Sequence, residues 1–527
     1  MKSTQRWLLP AVGGLLLASG TGSLVLEVVW SRSLKLIFGS TTLAVSTILV
    51  AYMLGLGLGG IWGGRLAGRV KNGVRAYGVM EMGVGLYALA VPFLLELYPS
   101  LHKALLSGWS FWPAAVVRFL AVLALLLAPT LCMGATLPIL VTSLIRSAGG
   151  FGRHVGLLYG LNTLGAVVGT LGSAFFLFGA VGLRWSNVVG AGMDFLAGAV
   201  AFFILAPRIA SVTPGDTESE RETVSAPLQR TGRRWNTSLL SYGLIGFVAL
   251  TFEVAWFRLL SMIFGSSIYA FSVMLAAFLL GIAGGSLLIR RWLDGFRDPK
   301  AVYALLTCLV GLLSAGSLFI VRALPSLFLD LVERGGITGE NLVASGAAVA
   351  LIALLPGTLA LGALFPVACR MNADAAGETG RAVGDVYFVN TIGSALGALI
   401  AGFVLIPFLG VRHTLGLAVA LALVVTAVHF LFLLEPRYRG QRLAGLASLG
   451  IAAVFVLSPP GWDRENLVRG LYYQTVLDLD FGVPLEPMEG GVLSKMLYYR
   501  EGLNTTVSIH QVPGGVTLRL NGKNDAS

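Results

Sequence analysis

The 527-residue chain is 56% hydrophobic and 12% charged, with a mean hydropathy of +0.82, whereas charged residues make up about a quarter of a soluble globular domain. That balance excludes an ordinary soluble enzyme and puts the polypeptide in a bilayer. A formal charge of +11 would suit nucleic acid, but the basic residues sit in short loops between apolar runs, where they act as topology signals; no nucleic-acid partner is expected.

A membrane-crossing helix needs about 20 mainly apolar residues. Taken along the chain, that rule predicts twelve spans at about 8–30, 38–62, 75–98, 114–145, 154–181, 186–206, 236–257, 264–289, 301–323, 342–369, 382–409 and 412–434. A shorter apolar segment, 443–458, either spans as a thirteenth helix or lies in the interface. The first run has a basic start but no small-residue cleavage site before Glu27, so it reads as a retained helix. With alternate loops on opposite sides, the side holding the N-terminus collects most of the Lys and Arg. The N-terminus is therefore expected in the cytoplasm and the protein in the inner (plasma) membrane. Trp7, Trp30, Trp235 and Trp256 are spaced as interfacial anchors of the first and seventh helices.

An internal repeat is the strongest signal. Residues 26–60 align without a gap on 252–286, with 16 identities in 35. "LEVVWSRSLKLIFGS" at Leu26 thereby matches "FEVAWFRLLSMIFGS" at Phe252. "GRHVGLLYGLNTLGAVVGT" at Gly152 aligns on "GRAVGDVYFVNTIGSALGA" at Gly380, with 9 identities in 19. Each copy holds six helices, an even number, so both enter the membrane in one sense, as parallel repeats do. The expected fold is thus an all-α integral membrane protein of 12–13 transmembrane helices in two parallel six-helix repeats, with a short C-terminal β-hairpin. The boundaries expected are 1–208 for the first repeat, 209–235 for a flexible polar linker, and 236–435 for the second repeat. Residues 436–460 form the short apolar segment and 461–527 the tail. In that tail "TTVSIH" and "VTLRLNG" alternate as two strands joined by a Gly-containing turn.

Few polar residues lie in the apolar spans, and those few carry the functional reading. Glu27 and Arg32, with their counterparts Glu253 and Arg258, are either a structural brace or a gate, and Glu27 could pair with Arg258, and Glu253 with Arg32, across the halves. Asn162 and Thr163 match Asn390 and Thr391 near mid-depth, with Tyr159 and Tyr387 one turn before; Asp194 is central in the sixth helix and has no counterpart. These seven either join helices by hydrogen bonds or line a central site for a small polar or cationic solute. Glu81 and Asp385 read as close to helix ends, where acids cost less. Cys132, Cys308 and Cys369 show no metal or disulfide spacing, and no catalytic or metal-binding constellation is expected.

The paired motifs, the repeated "NT-G" helices, and the tail "LYYREGLNTTVSIH…LRLNGKNDAS" resemble bacterial fused proteins in which a major-facilitator-like membrane region is joined to a spermidine-synthase-like domain. The resemblance implies that the tail opens the small β-domain preceding a methyltransferase-like fold. That fold would transfer an aminopropyl group from decarboxylated S-adenosylmethionine to a diamine. The nucleotide-binding and catalytic segments would lie beyond Ser527, and Asp525 stands where the soluble enzymes carry Gln, so no catalytic residue and no cofactor is assigned to this chain. The resemblance implies a transporter-like module moving or sensing a polyamine-like solute, or the membrane half of an aminopropyltransferase system whose catalytic part is a separate partner. The Gly-rich turn "GGIWGGRLAGR" from Gly59 resembles the corresponding major-facilitator turn, with Gly64 where an Asp is usual.

Overall fold

The computed structural model describes residues 4–38, 42–106, 108–148, 151–210, 237–376, 379–434, 439–473, 475, 495–502, 505–512 and 515–526. The expected linker, apart from residues 209 and 210, falls outside these. The first six long helices are α1 (Thr4–Phe38), α2 (Thr42–Ala67), α3 (Gly73–Leu106), α4 (Phe111–Ala148), α5 (Phe151–Ala180) and α6 (Gly182–Arg208). After the linker come α7 (Thr237–Phe264), α8 (Ile268–Ile289), α9 (Pro299–Ile320), α10 (Leu324–Gly335), α11 (Gly339–Ala376), α12 (Thr379–Ile400), α13 (Ile406–Val428) and α14 (Arg439–Leu457).

Twelve described helical stretches are long and apolar enough to cross a membrane. One of them, Thr379–Leu433, is 55 residues long, about 80 Å at 1.5 Å per residue, far beyond the roughly 30 Å of a hydrocarbon core. It breaks at Gly410, whose φ of 82° and ψ of 163° no helix accommodates, so it supplies two passes, as the spans 382–409 and 412–434 anticipate. The short segment 443–458 is the helix α14, packed on α13, with Leu443, Leu446, Val454 and Leu457 all exposed. Large apolar side chains such as Phe93, Phe176, Phe319, Phe408 and Phe432 face outward, which suits a lipid solvent and would be costly in water. The protein is a multi-pass membrane protein.

Each helix has defined neighbours. α1 packs on α5 and α6, α2 on α4, and α3 on α4 and α6. α7 packs on α12 and α13, α8 on α11, and α9 on α11 and α13. The most extensive contacts between the groups are α2 with α12 and α5 with α8, and smaller ones join α4 to α12 and α5 to α11. Short π-helical turns interrupt α5 at Ser173–Leu177 and α6 at Val200–Leu205, and others follow α12 at Ala401–Leu405 and α13 at His429–Leu433.

Two expectations are corrected here. Trp30 and Trp256 are not interfacial anchors: both are buried, and the Trp30 Nε1–H donates to Asn187 Oδ1 at 2.8 Å, which satisfies its one polar group inside the core. α10 was not anticipated. It buries Leu324, Phe328, Leu329 and Val332, exposes Asp330 and Arg334, and lies against α11, an amphipathic helix suited to the membrane surface.

The tail is a four-stranded antiparallel meander rather than a hairpin: β1 (Lys495–Glu501), β2 (Thr506–Val512), β3 (Gly515–Leu520) and β4 (Lys523–Ala526). β3 turns into β4 through Asn521 and Gly522, both at positive φ, the Asn-Gly pairing that a tight hairpin turn demands. The sheet docks where α7 ends and α13 begins. Arg258 donates to Gly502 O, Val411 N–H donates to Glu501, and Tyr499 Oη–H donates to Glu501 Oε1.

Within the sheet His510 is fully buried, its Nε2 3.0 Å from Ser508 Oγ. Burial, and then the cationic Arg519 and Arg469, push it from the usual 6.5 down to about 4. A folded value below the unfolded one means that the unfolded chain binds more protons in that window. Stability of the sheet is therefore complete above about pH 6.5 and declines as pH falls toward 4. Hydrogen exchange of the β2 amides, corrected for the intrinsic pH dependence, is expected to show protection falling through this range, and His510→Gln is expected to flatten it.

Candidate functional site

α1 and α7 each carry one acid, Glu27 and Glu253, both half-buried. The two carboxyls lie within electrostatic reach of each other, although they belong to helices 226 residues apart in sequence. The hydroxyl of Tyr52, from α2, stands beside Glu27, and Tyr387, from α12, is also within electrostatic reach of it. Tyr387 reaches this position because α2 and α12 approach backbone to backbone: a Cβ on Gly384 would collide with Gly60 O and stand 3.1 Å from Gly64 Cα. The Tyr52 hydroxyl donates to Met133 Sδ at 3.4 Å.

A ring cluster continues the site between the helix groups. Tyr159, from α5, stacks on Phe365, from α11, at 4.2 Å between centroids, and Phe365 lies 6.3 Å from Tyr387 and 6.4 Å from Tyr242. Aromatic faces and hydroxyls beside two acids offer a cation both charge and ring contacts.

The remaining expected site residues divide. Asn162 and Asn390 sit where α5 crosses α1 at Gly20 and where α12 crosses α7 at Gly246, and both are half-buried. Neither amide makes a side-chain hydrogen bond to a described residue. Thr163 and Thr391 are buried, and their hydroxyls donate to Tyr159 O at 2.9 Å and Tyr387 O at 2.6 Å within their own helices; they are helix-internal bonds of the kind Thr makes in apolar helices. Asp194 does not join the acids of α1 and α7. It is buried between α6, α1 and α3, beside Gly22 and Glu81.

The arginines take other partners than the cross-half pairing of Glu27 with Arg258 and Glu253 with Arg32. Arg32 is exposed and lies over the Phe178 ring at 5.2 Å, and Arg258 is held by the C-terminal sheet. Neither arginine is therefore seen paired with the two acids, which lie within electrostatic reach of each other. Glu81 is also deeper than its sequence position suggested, 1% exposed and accepting from Ser19 Oγ at 2.8 Å.

Sequence reasoning missed Tyr52 and Asp294. Tyr52 aligns with Phe278 in the repeat, and that departure from identity was the available signal. Asp294, in the turn after α8, accepts from Gly152 N–H at 2.7 Å and Arg153 N–H at 3.1 Å at the start of α5, and it pairs with Arg370 at 3.1 Å. It caps one helix group with a turn of the other, and a carboxylate at a helix N-terminus is well placed against the macrodipole. At the alignment shift of the first repeat its counterpart is Gly68.

Comparison with protein-family models and with curated proteins finds no match.

The close α2–α12 approach is testable. Gly384→Val forces α12 away from Gly60 and displaces Tyr387 with it. A loss of about 1–3 kcal/mol is expected, the usual cost of overpacking, read as a lower thermal midpoint of the detergent-solubilised protein. Gly192→Ala, where a Cβ meets nothing within 4 Å, is expected to leave that midpoint unchanged or slightly raised.

Proposed function

We propose that the protein is a membrane carrier, or a sensor built on a carrier, whose central Glu27–Glu253 pair accepts a small cationic polar solute of the polyamine class. The observation that carries the reading is the pair itself. Two carboxylates repel by about 4 kcal/mol at 4 Å for an effective dielectric constant near 20. A cation between them removes that repulsion and gains attraction to both, and half-burial leaves the carboxyls reachable by a solute. Tyr52, Tyr159 and Tyr387 add hydroxyls and ring faces, and Asn162 and Asn390 add amides that bond no side chain or backbone among the described residues.

The architecture that supports this reading is two parallel six-helix repeats, in which α1 to α6 correspond to α7, α8, α9, α11, α12 and α13. Every pairing within one group then has its counterpart in the other: α1–α5 with α7–α12, α2–α4 with α8–α11, and α3–α6 with α9–α13. The joining contacts exchange under the same correspondence, α2–α12 with α5–α8 and α4–α12 with α5–α11, as a two-fold axis through the centre requires. The π-helical turns recur as well, Ser173 with Ala401 and Val200 with His429. A site at the interface between two repeats is where repeat-built carriers bind their cargo. This organisation agrees with the major-facilitator-like resemblance of the sequence. With the N-terminus in the cytoplasm, as the Lys and Arg bias of the loops suggests, thirteen passes would bring the C-terminal sheet to the opposite face.

A second reading, the membrane half of an aminopropyltransferase system, draws on the meander β1–β4, which suits the small β-domain of spermidine-synthase-like proteins. An assay of the full chain for aminopropyl transfer from decarboxylated S-adenosylmethionine to putrescine separates the two, since the carrier reading expects none without a catalytic partner.

The test of the carrier reading is uptake of labelled putrescine and spermidine into vesicles holding the full chain. Glu27→Gln and Glu253→Gln are each expected to weaken solute affinity about tenfold or more, the effect of losing roughly 1.4 kcal/mol of charge contact, whereas Arg32→Ala leaves it intact. Wild-type protein that neither takes up nor binds either polyamine would overturn the reading.

A further inference from the structure

A second acidic pair lies inside the first six helices, apart from Glu27 and Glu253. Asp194 on α6 is 0% exposed and Glu81 on α3 is 1% exposed. The two helices bring them together along matched small residues: a Cβ on Gly198 would meet Glu81 Cβ at 2.9 Å, and one on Gly85 would meet Ala191 O at 2.6 Å. Glycine at position 22 of α1 closes the third side, for any side chain there would run into Asp194 Oδ1.

The polar atoms do not balance. Ser19 Oγ donates to Glu81 Oε1 at 2.8 Å, and Tyr77 Oη donates to Leu15 O at 3.3 Å within electrostatic reach of both acids. Glu81 Oε2 and both oxygens of Asp194 are buried with no hydrogen-bond partner. Among the described residues the titratable groups facing the pair are Tyr77 on α3, Tyr52 on α2 and Cys132 on α4, none of them basic. Of the three arginines borne by the same two helices, Arg75 lies over Phe202 at 4.7 Å and Arg184 over Phe93 at 5.5 Å, and Arg208, at the far end of α6, is also engaged. Two anions buried at membrane depth with no counter-charge cost several kcal/mol each. A positive charge held on the pair relieves that cost.

We propose that Glu81 and Asp194 form a proton-exchange site, taking one proton from water and releasing it again, which makes the first six helices the ion-coupled half of the molecule. The step forms one O–H bond on a carboxylate oxygen and later breaks it, and needs no other reactant. A proton fits this site because backbone and glycine contacts close around Asp194, leaving no shell of oxygens for a metal cation such as a site of that kind needs. Among the described residues the second group of helices carries no such pair. At the alignment shift of the first repeat, position 81 corresponds to Thr307 and position 194 to Ala420. Tyr52, within electrostatic reach of both Asp194 and Glu27, puts the proton site and the central pair in one electrostatic unit. The coupling role rests on the carrier reading; the proton exchange does not.

The test uses infrared difference spectra of the full chain in lipid vesicles between alkaline and acidic buffers, in a Glu27→Gln, Glu253→Gln background so that the central pair contributes nothing. No solute is added, so failure here and failure of polyamine uptake are separate results. The expected result is a deuterium-sensitive carbonyl stretch of a protonated carboxyl that titrates with bulk pH and is lost in Asp194→Asn and in Glu81→Gln. Should Asp194→Asn fail to fold, Glu81→Gln alone decides. A spectrum the same with and without these substitutions, or a band that does not respond to pH, overturns the proposal. So does a band that sodium, replacing choline at fixed pH, abolishes, since the site would then bind a metal cation.

Discussion

Close contact between glycine-bearing helix faces is the constraint on which the centre of this molecule depends. Where α2 meets α12, Gly60, Gly64 and Gly384 let two backbones touch. Where α5 meets α8, Gly156 fits against Ser286, whose Oγ donates to Gly156 O at 2.9 Å. Association in lipid gains little from apolar burial, because the tails are as apolar as leucine, so shape fit and interhelical hydrogen bonds must hold helices together. These two contacts hold the two helix groups face to face, and Glu27, Glu253 and their tyrosines lie between.

The same constraint sorts the buried polar residues. Those with a hydrogen bond inside their own helix or to a neighbour, such as Thr163, Thr391 and Asn187, are structural. Two acidic pairs stand apart from these among the described residues: Glu27 with Glu253, and Glu81 with Asp194, the latter keeping three buried carboxyl oxygens without a partner. In a medium that offers no water, an acid left without a partner is retained for something that arrives and leaves. On the reading proposed above, one place takes the solute and the other the proton.

Much of this was legible in the chain. The spans follow from runs of apolar residues long enough for a bilayer, and even the turn at Gly410 falls between two of them. The 16 identities in 35 between residues 26–60 and 252–286 singled out Glu27 and Glu253 as a pair. What the two residues face was not legible, because a helix wheel orients a side chain within one helix and says nothing of which helix lies opposite. The cross-half pairing of Glu27 with Arg258 is thus open from sequence, whereas that arginine donates to the backbone of Gly502, just after β1 and more than 240 residues further on. Trp30 and Trp256 matched the spacing of surface anchors, yet packing took both inward. β1 hid in a segment of mixed pattern, and β4, four residues long, is too short for alternation to show, although the Asn521–Gly522 turn marked it. Glu81 reads from the sequence as close to a helix end, but α3 begins at Gly73, and nine residues of helix already carry a side chain about 12 Å inward.

That one acid from each helix group meets at a common centre is the claim most open to direct measurement. Cys132, Cys308 and Cys369 are replaced, Glu27→Cys and Glu253→Cys are introduced together, and a protease site is placed within residues 211–236. After treatment of the membranes with a short thiol-to-thiol cross-linker and cleavage at that site, the two halves are expected to migrate as one species on a denaturing gel. Halves that separate after that treatment would contradict the account.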